Sequence, residues 1–253
     1  MNPARLSVTI AALALATPAL AQEGPRNSLS LGFAVVPDYD GSSDYVARPG
    51  ITGRFSFGDV TVDLRGTGVR ADVLSGPVAA GPVVNYRFGR TADVKNAQVA
   101  ALPETGDAVE LGAFVSVPLS RGVALSAEVL GDVSGTHDGF LGTLSADWRQ
   151  PVSDRVAVFA SASVSAMDGD FARTYYGVTA AGAAASGLAA YAPGGGLRDA
   201  GVTLGASFGM TERMTLTTTI GYRELLGDAA DSPIVQVGDS GQMVLAVGVG
   251  WTF

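Results

Sequence analysis

His137 is the only histidine in the 253-residue chain; Asp138 follows it and Ser134 stands three residues earlier. A serine, a histidine and a carboxylate are the parts of a nucleophilic triad, in which the imidazole takes the hydroxyl proton and the acid orients the imidazole. A triad is defined by convergence in space, which neighbours on one loop rarely achieve, and Asp138-Gly139 reads as the close of a turn. No catalytic residue is assigned. Asp38, Asp40 and Asp44 open with the Asp-x-Asp-Gly spacing of a calcium loop. The glutamate that such a loop needs at its twelfth position is absent, so the segment reads as a solvated Asp/Gly/Ser turn and no metal is assigned. Divalent ions bridging to lipopolysaccharide phosphates are the remaining option there. Gly194-Gly195-Gly196 does not follow a strand and open a helix, so it cradles no phosphate, and no cofactor is assigned. The chain has no cysteine, which removes thiolate chemistry and any disulfide framework.

The charges that remain share a different pattern. Arg54, Asp63, Arg65, Arg87, Glu110, Glu128, Asp147, Arg149, Arg155 and Arg223 each interrupt a stretch in which apolar and small or polar residues alternate. Alternation puts successive side chains on opposite faces of a strand. If the apolar face meets lipid, these ten residues face a lumen. There they either set the selectivity of a polar channel or pair with one another and brace a narrow barrel.

The elements that must position them are strands. From Gln242 to Phe253 the odd positions are Met243, Leu245, Val247, Val249, Trp251 and Phe253, all apolar, and the even positions are small or polar except Val244. A tilted strand crosses a bilayer in about 9–11 residues, and aromatics at its end suit the interface. Composition agrees. Hydrophobic residues make up 47% and charged residues 16%, yet no apolar run after residue 21 approaches the ~18 needed for a helical span. The first 21 residues read as a cleaved signal peptide: Arg5, an apolar segment from Val8 to Ala16, then Ala19-Leu20-Ala21. Removing them makes the mature chain one unit more acidic than the −8 of the whole, a poor match to nucleic acid.

Twelve strands can be counted, near residues 28–36, 50–57, 60–65, 68–74, 79–88, 108–118, 123–132, 140–149, 155–165, 198–210, 214–223 and 242–253. With both termini in the periplasm the strand number is even. The long connections 37–48, 89–107, 133–138, 166–197 and 226–241 then all fall outside, and the short turns all fall inside. The count becomes ten if the hairpin near 59–74 stays out of the wall. The fold expected is a transmembrane antiparallel β-barrel spanning residues 22–253, in the outer membrane of a Gram-negative cell.

Several loops resemble motifs of the MipA/OmpV family of outer-membrane proteins. The first is Pro37-Asp38-Tyr39-Asp40-Gly41-Ser42-Ser43-Asp44-Tyr45. It is followed in order by Asn85-Tyr86-Arg87-Phe88-Gly89-Arg90, His137-Asp138-Gly139, Thr174-Tyr175-Tyr176-Gly177-Val178-Thr179, and the run from Gly227-Asp228 to Ser232-Pro233-Ile234-Val235. The terminal Phe253 resembles the residue by which insertion machinery reads a closing strand. The resemblance implies a non-enzymatic outer-membrane barrel and a scaffold joining a lytic transglycosylase to a murein-synthesising penicillin-binding protein. The partners it implies are outer-membrane lipid and lipopolysaccharide, the barrel assembly machinery, and a periplasmic murein hydrolase or synthase. A narrow channel for small polar solutes is the alternative, and an outer-membrane hydrolase a distant third. The uncharged middle of the longest loop, Ala180–Ala192, is expected to pack over or into the barrel mouth near Arg155 and Arg223. Basic lumen residues would then favour anions.

Overall fold

The structure is a computed structural model that describes residues 27–253, so the segment read as a signal peptide lies outside the described residues. Twelve antiparallel strands form the wall: β1 (Ser28–Pro37), β2 (Tyr45–Phe57), β3 (Val60–Arg65), β4 (Gly68–Asp72), β5 (Ala79–Arg87) and β6 (Ala108–Ser120), then β7 (Val123–Asp132), β8 (Phe140–Pro151), β9 (Val156–Met167), β10 (Gly196–Gly209), β11 (Met214–Leu225) and β12 (Gly241–Thr252). Each strand pairs with its neighbour in sequence, and β12 returns to β1 to close the barrel. Closure pairs backbone N–H and C=O groups that lipid could not satisfy.

The alternation read in the sequence is the alternation of the wall. Met243, Leu245, Val247 and Trp251 of β12 are exposed, as are Leu31, Phe33 and Val35 of β1. Gln242, Gly248 and Gly250 turn inward and are buried. The β1–β12 seam runs from Ser28↔Thr252 to Val35↔Leu245. Gly32 lies in that seam, where an added Cβ would stand 2.2 Å from the carbonyl oxygen of Val247, so only glycine fits.

The hairpin that left ten strands open belongs to the wall. It is joined to β2 from Thr52↔Arg65 to Phe57↔Val60, and to β5 through Gly68↔Asn85, Val69↔Val84 and Arg70↔Val83. β3 and β4 are short, however, at 6 and 5 residues, against the 13 of β2.

Five long connections leave one rim and carry five short helices: α1 (Ala97–Ala100), α2 (Gly169–Tyr176), α3 (Ala180–Ser186), α4 (Gly227–Ala230) and α5 (Pro233–Gln236). Long connections face outward in barrels of this kind and short turns face the periplasm. The Ala-rich stretch forms α3, capped by Thr179 and stopped by Gly187 at φ 74°. α2 has no counterpart in the sequence reading; Asp168 caps it through the N–H of Phe171. The loops have their own cores. Phe171, Ala172, Tyr176, Ala229 and Val235 pack with Leu141, Met167 and Leu225 of the wall, and Val99, Leu102, Val178, Leu188 and Ile234 form a second cluster.

Two expectations follow. Cysteine at the exposed Asp93 or Gly135 should react with an impermeant maleimide on intact cells, and cysteine at Ser120 should not; the reverse pattern would exchange the two faces. Ser42, which its sequence marks as an open loop residue, is only 1% exposed and is no labelling position. Phe253 is 69% exposed on the lipid side and lies 6.4 Å from the Phe55 ring. Phe253→Ala should reduce the yield of assembled, heat-modifiable barrel several-fold, and an unchanged yield would remove its role as an assembly signal.

Candidate functional site: the lumen and its outer cap

The lumen has two unlike halves. On β2–β7 the inward side chains are large and charged. Arg54 grips Asp63 through Nε–Oδ1 at 2.6 Å and Nη2–Oδ2 at 3.0 Å, and Arg70 donates to the same carboxylate at 3.2 Å. Arg70 escaped the sequence reading, although it stands directly opposite Asp63 in register. Its guanidinium lies over the Phe114 ring, 4.6 Å from the centroid, beside an inward apolar cluster of Val83, Phe114 and Leu130. Arg65 donates to Glu128 at 2.8 Å. β3 and β7 are not neighbours, so this pair spans the lumen as a brace.

On β8–β12 and β1 most inward positions are small, although Phe159 lays its ring over Gly205. Ser145, Ser161, Ser163, Thr203, Thr217 and Thr219 alternate with outward apolar residues, and Gly32, Gly205 and Gly248 stand among them. Asp147 is held here by the hydroxyls of Ser161 at 2.7 Å and Ser145 at 3.2 Å. Arg149 also points inward, half-buried, near the periplasmic end of β8.

Two expectations about the charges need correction. Arg155 is not a wall residue. The β9–β10 register ends at Phe208↔Val156, so Arg155 sits beyond the strand, exposed in a periplasmic turn and far from the outer loops. Nor do most of the lumen arginines form an unbalanced basic surface, because Arg54, Arg65, Arg70, Arg87 and Arg223 each reach a carboxylate within 3.2 Å, Arg149 being the exception among the described residues. A preference for anions has no support in that arrangement.

The outer end is closed by α2. Glu110, fully buried on β6, accepts from Arg87 Nε at 2.8 Å and from Asn85 Nδ2 at 2.7 Å. His137 Nε2 completes the group at 3.2 Å. The other ring nitrogen, Nδ1, accepts the Gly139 N–H at 3.1 Å, which makes Nε2 the protonated, donating nitrogen. The Arg87 guanidinium lies over the rings of Phe171 (4.9 Å) and Tyr175 (5.5 Å) of α2, and the His137 ring meets Phe171 edge-on at 5.1 Å. Wall charges thus hold aromatic residues of the plug by cation–π contact.

This geometry disposes of the triad. His137 is engaged by Glu110 and Gly139, while the Ser134 hydroxyl donates to Asp132 at 2.6 Å and the N–H of Asp138 donates to the same carboxylate at 3.0 Å. The three aspartates of the first loop also diverge. Asp40 accepts from Arg223 at 2.7 Å, Asp38 accepts the Lys95 N–H at 3.0 Å, and Asp44 approaches Lys95 Nζ at 4.0 Å. Burial pushes the Asp40 carboxyl up, but Arg223, Arg198 and Arg87 outweigh it and hold it below the ordinary carboxylate range. The tie to Arg223 is therefore present at neutral pH and is lost only as the pH falls below that range. Burial raises the Tyr176 phenol, which stays protonated and donates to Asp40 at 3.3 Å.

The segments that resemble family motifs all end in this cap, although some 200 residues separate the first from the last. Gly41 N–H donates to Gln242 Oε1 at 3.1 Å, and Asp239 N–H to the Gly41 carbonyl at 2.9 Å. Ser232, fully buried, donates to the Tyr176 carbonyl at 2.6 Å. Asp228 accepts the Gly194 N–H at 2.5 Å, and its carbonyl accepts from Tyr191 at 3.0 Å. Val178 and Tyr191 form a two-residue bridge. The motif residues are spent on building the cap. The loops also hold the acidic excess: twelve carboxylates against three basic side chains, Arg90, Lys95 and Arg173.

Residues 29–253 match the family model described as MltA-interacting protein MipA. Two curated relatives, from Escherichia coli (strain K12) and Escherichia coli O157:H7, carry the name YiaT and are provisionally named as outer membrane proteins. Each is 30% identical over 132 residues, covering 51% of this chain and 51% of the relative. The chain thus spans about half the length of the curated relatives it matches. Among solved structures, the NanC porin has 9% identity and a TM-score of 0.48, with 89% of this chain and 98% of that one covered. The COG4313 outer membrane channel from Pseudomonas putida F1 has 13% identity and a TM-score of 0.47, with 93% and 97% covered. At these values the likeness carries no argument about what the lumen does.

Proposed function

The chain belongs to the MltA-interacting protein MipA family, and from that premise we propose that this outer-membrane β-barrel is an interaction protein that holds a murein-cleaving enzyme at the membrane. The family description names an interaction with MltA. The observation that carries the reading is the closed outer mouth. Phe171 and Tyr176 are buried against Leu141, Met167 and Leu225 of the wall, so α2 packs within the outer mouth where bulk solutes would have to pass. A positional role needs no such path. The surface that faces murein is the rim of short turns. The longest, residues 73–78, presents Val73 and Leu74, both exposed.

The test is site-specific photo-crosslinking in cells from Leu74, Asp154 and Glu212. Adducts with a lytic murein enzyme, strongest from Leu74, are expected. Their absence from all three positions, with the barrel assembled, would overturn the reading. A second reading, a narrow gated conduit, is favoured by the row of inward Ser, Thr and Gly on β8–β12. It predicts conductance when the cap is loosened.

A further inference from the structure

The wall has a notch. The β3–β4 hairpin turns at Gly66-Thr67, where Gly66 N–H donates to Ile51 O and Tyr86 N–H to Thr67 O. Above that turn, among the described residues, no strand pairs with β2 on its β3 side. β2 continues for six more residues, Tyr45–Gly50, about 20 Å at ~3.3 Å per residue. β2 and β5 stand three strand spacings apart there, on the order of 14 Å.

The notch lies at the level of lipid. Pro49 and Ala47 pair with Phe33 and Val35 on β1, whose side chains face outward and are exposed. An open sheet edge in hydrocarbon is forbidden unless its polar groups find partners. Backbone groups along a strand face alternate sides, so Tyr45, Ala47 and Pro49 face the notch, as Ile51 faces the hairpin. Pro49 has no N–H to leave unpaired, the mark of an edge position. Tyr45 O accepts from Lys95 Nζ at 3.0 Å. Ala47 keeps both groups directed into the notch. On the opposite bank Tyr86 and Phe88 stack edge-on, ring centroids 4.9 Å apart.

The charge above the notch is also unlike its surroundings. Of the three basic side chains in an acidic cap, Arg90 and Lys95 both border this opening. Lys95 is half-exposed and no closer than 4.0 Å to Asp44. Asp38 is engaged by the Lys95 N–H at 3.0 Å and by Arg48 at 3.9 Å. Among the described residues the Arg90 guanidinium donates a long 3.4 Å bond, to the Pro103 carbonyl, while its backbone N–H is held by Thr105. The loop's carboxylates are Asp93, Glu104 and Asp107; Glu104 accepts the Ala92 N–H at 3.0 Å, Asp107 accepts from the Tyr86 hydroxyl at 2.6 Å and the Gly89 N–H at 2.8 Å, and Tyr39 lies within electrostatic reach of Arg90.

We propose that the notch seats one acidic lipid of the outer leaflet, its acyl chains against Phe33, Pro49, Tyr86 and Phe88 and its phosphate at Arg90 and Lys95. The lipid's ester, amide or hydroxyl groups meet the free backbone of Ala47. The aromatic bank and the open edge at acyl-chain depth suit any lipid, and the paired cations at headgroup height favour one whose phosphate is not neutralised by a cation of its own.

The test is native mass spectrometry of the full barrel in detergent, titrated with lipid A and with dephosphorylated lipid A. Lipid A should bind at one site and about tenfold more tightly. The pair Arg90→Gln and Lys95→Gln should erase that difference, with heat-modifiable migration unchanged. Ala47→Trp fills the notch and keeps both cations; it should weaken lipid A at least as much. Equal binding of the two lipids, or no effect of the double variant, overturns the phosphate site. Unchanged binding by Ala47→Trp overturns the notch as the seat. Neither result depends on a periplasmic partner, so this inference and the interaction role fail separately.

Discussion

Glu110→Ala should free the outer cap while leaving the barrel standing. Glu110 is fully buried and holds Arg87, Asn85 and His137 at 2.8, 2.7 and 3.2 Å. Removing one member of a buried charged group leaves the others without compensation, at a cost of about 3–5 kcal/mol. Arg87 is 20% exposed, so water recovers part of that and the lower end is expected. The loss falls on the cap because the ladder of β6 does not use the side chain, and local openings take the cheaper route. Hydrogen exchange of the α2 amides should accelerate by two orders of magnitude or more, with strand amides unchanged, which at ~1.4 kcal/mol per tenfold matches the lower bound. Glu110→Gln keeps an acceptor for Arg87 and should lose less. Unaltered protection of residues 169–176 in Glu110→Ala would mean that this group does not anchor the plug.

Phe171→Ala should convert a silent barrel into a conducting one. The ring is 1% exposed and touches His137, Tyr175 and the guanidinium groups of Arg87 and Arg198. Truncating a buried phenylalanine costs about 3–5 kcal/mol through lost transfer energy and the cavity left behind. An eight-residue helix has little stability of its own, so α2 should leave the mouth for much of the time. Planar-bilayer recordings should show no steps for the wild type and intermittent small steps for the variant. Phe171→Leu nearly conserves volume and should stay mostly closed. A Phe171→Ala barrel that remains silent while its α2 amides exchange freely would place the constriction elsewhere, in the Arg65–Glu128 brace.

The sequence made the wall legible because strands write a local signature. The odd–even split of β12 predicts which side chains meet lipid, and the sorting of long and short connections predicts twelve strands. Lumen pairs between neighbouring strands were legible in principle: Arg54 stands directly opposite Asp63, and Asn85 opposite Glu110. Arg65–Glu128 was not, because it crosses the lumen between strands that never touch. The cap was least legible. Ser42, Tyr176 and Ser232 look like ordinary loop residues, and their burial comes from partners more than 50 positions away. Arg155 was misplaced because alternation carries on past a strand end that only the register reveals.

Gly41 and Gln242 are 201 residues apart in the chain, and Asp40 and Arg223 are 183 apart. Contacts of such sequence separation form late, since the chain entropy of closing the loop must be spent before the contact returns anything. Here the loop between them is the barrel itself. Gln242 reaches Gly41 only after β12 has zipped onto β1, so this tie of the first loop cannot precede closure of the seam. Phe171 and Tyr176 of α2 pack on Leu141, Met167 and Leu225 of β8, β9 and β11, so α2 can dock before the last strand arrives and the first loop is pinned last. The first loop is therefore a chronometer of biogenesis: a barrel in which the segment around Gly41 resists protease has closed its seam, and one in which it does not has stalled with the seam open.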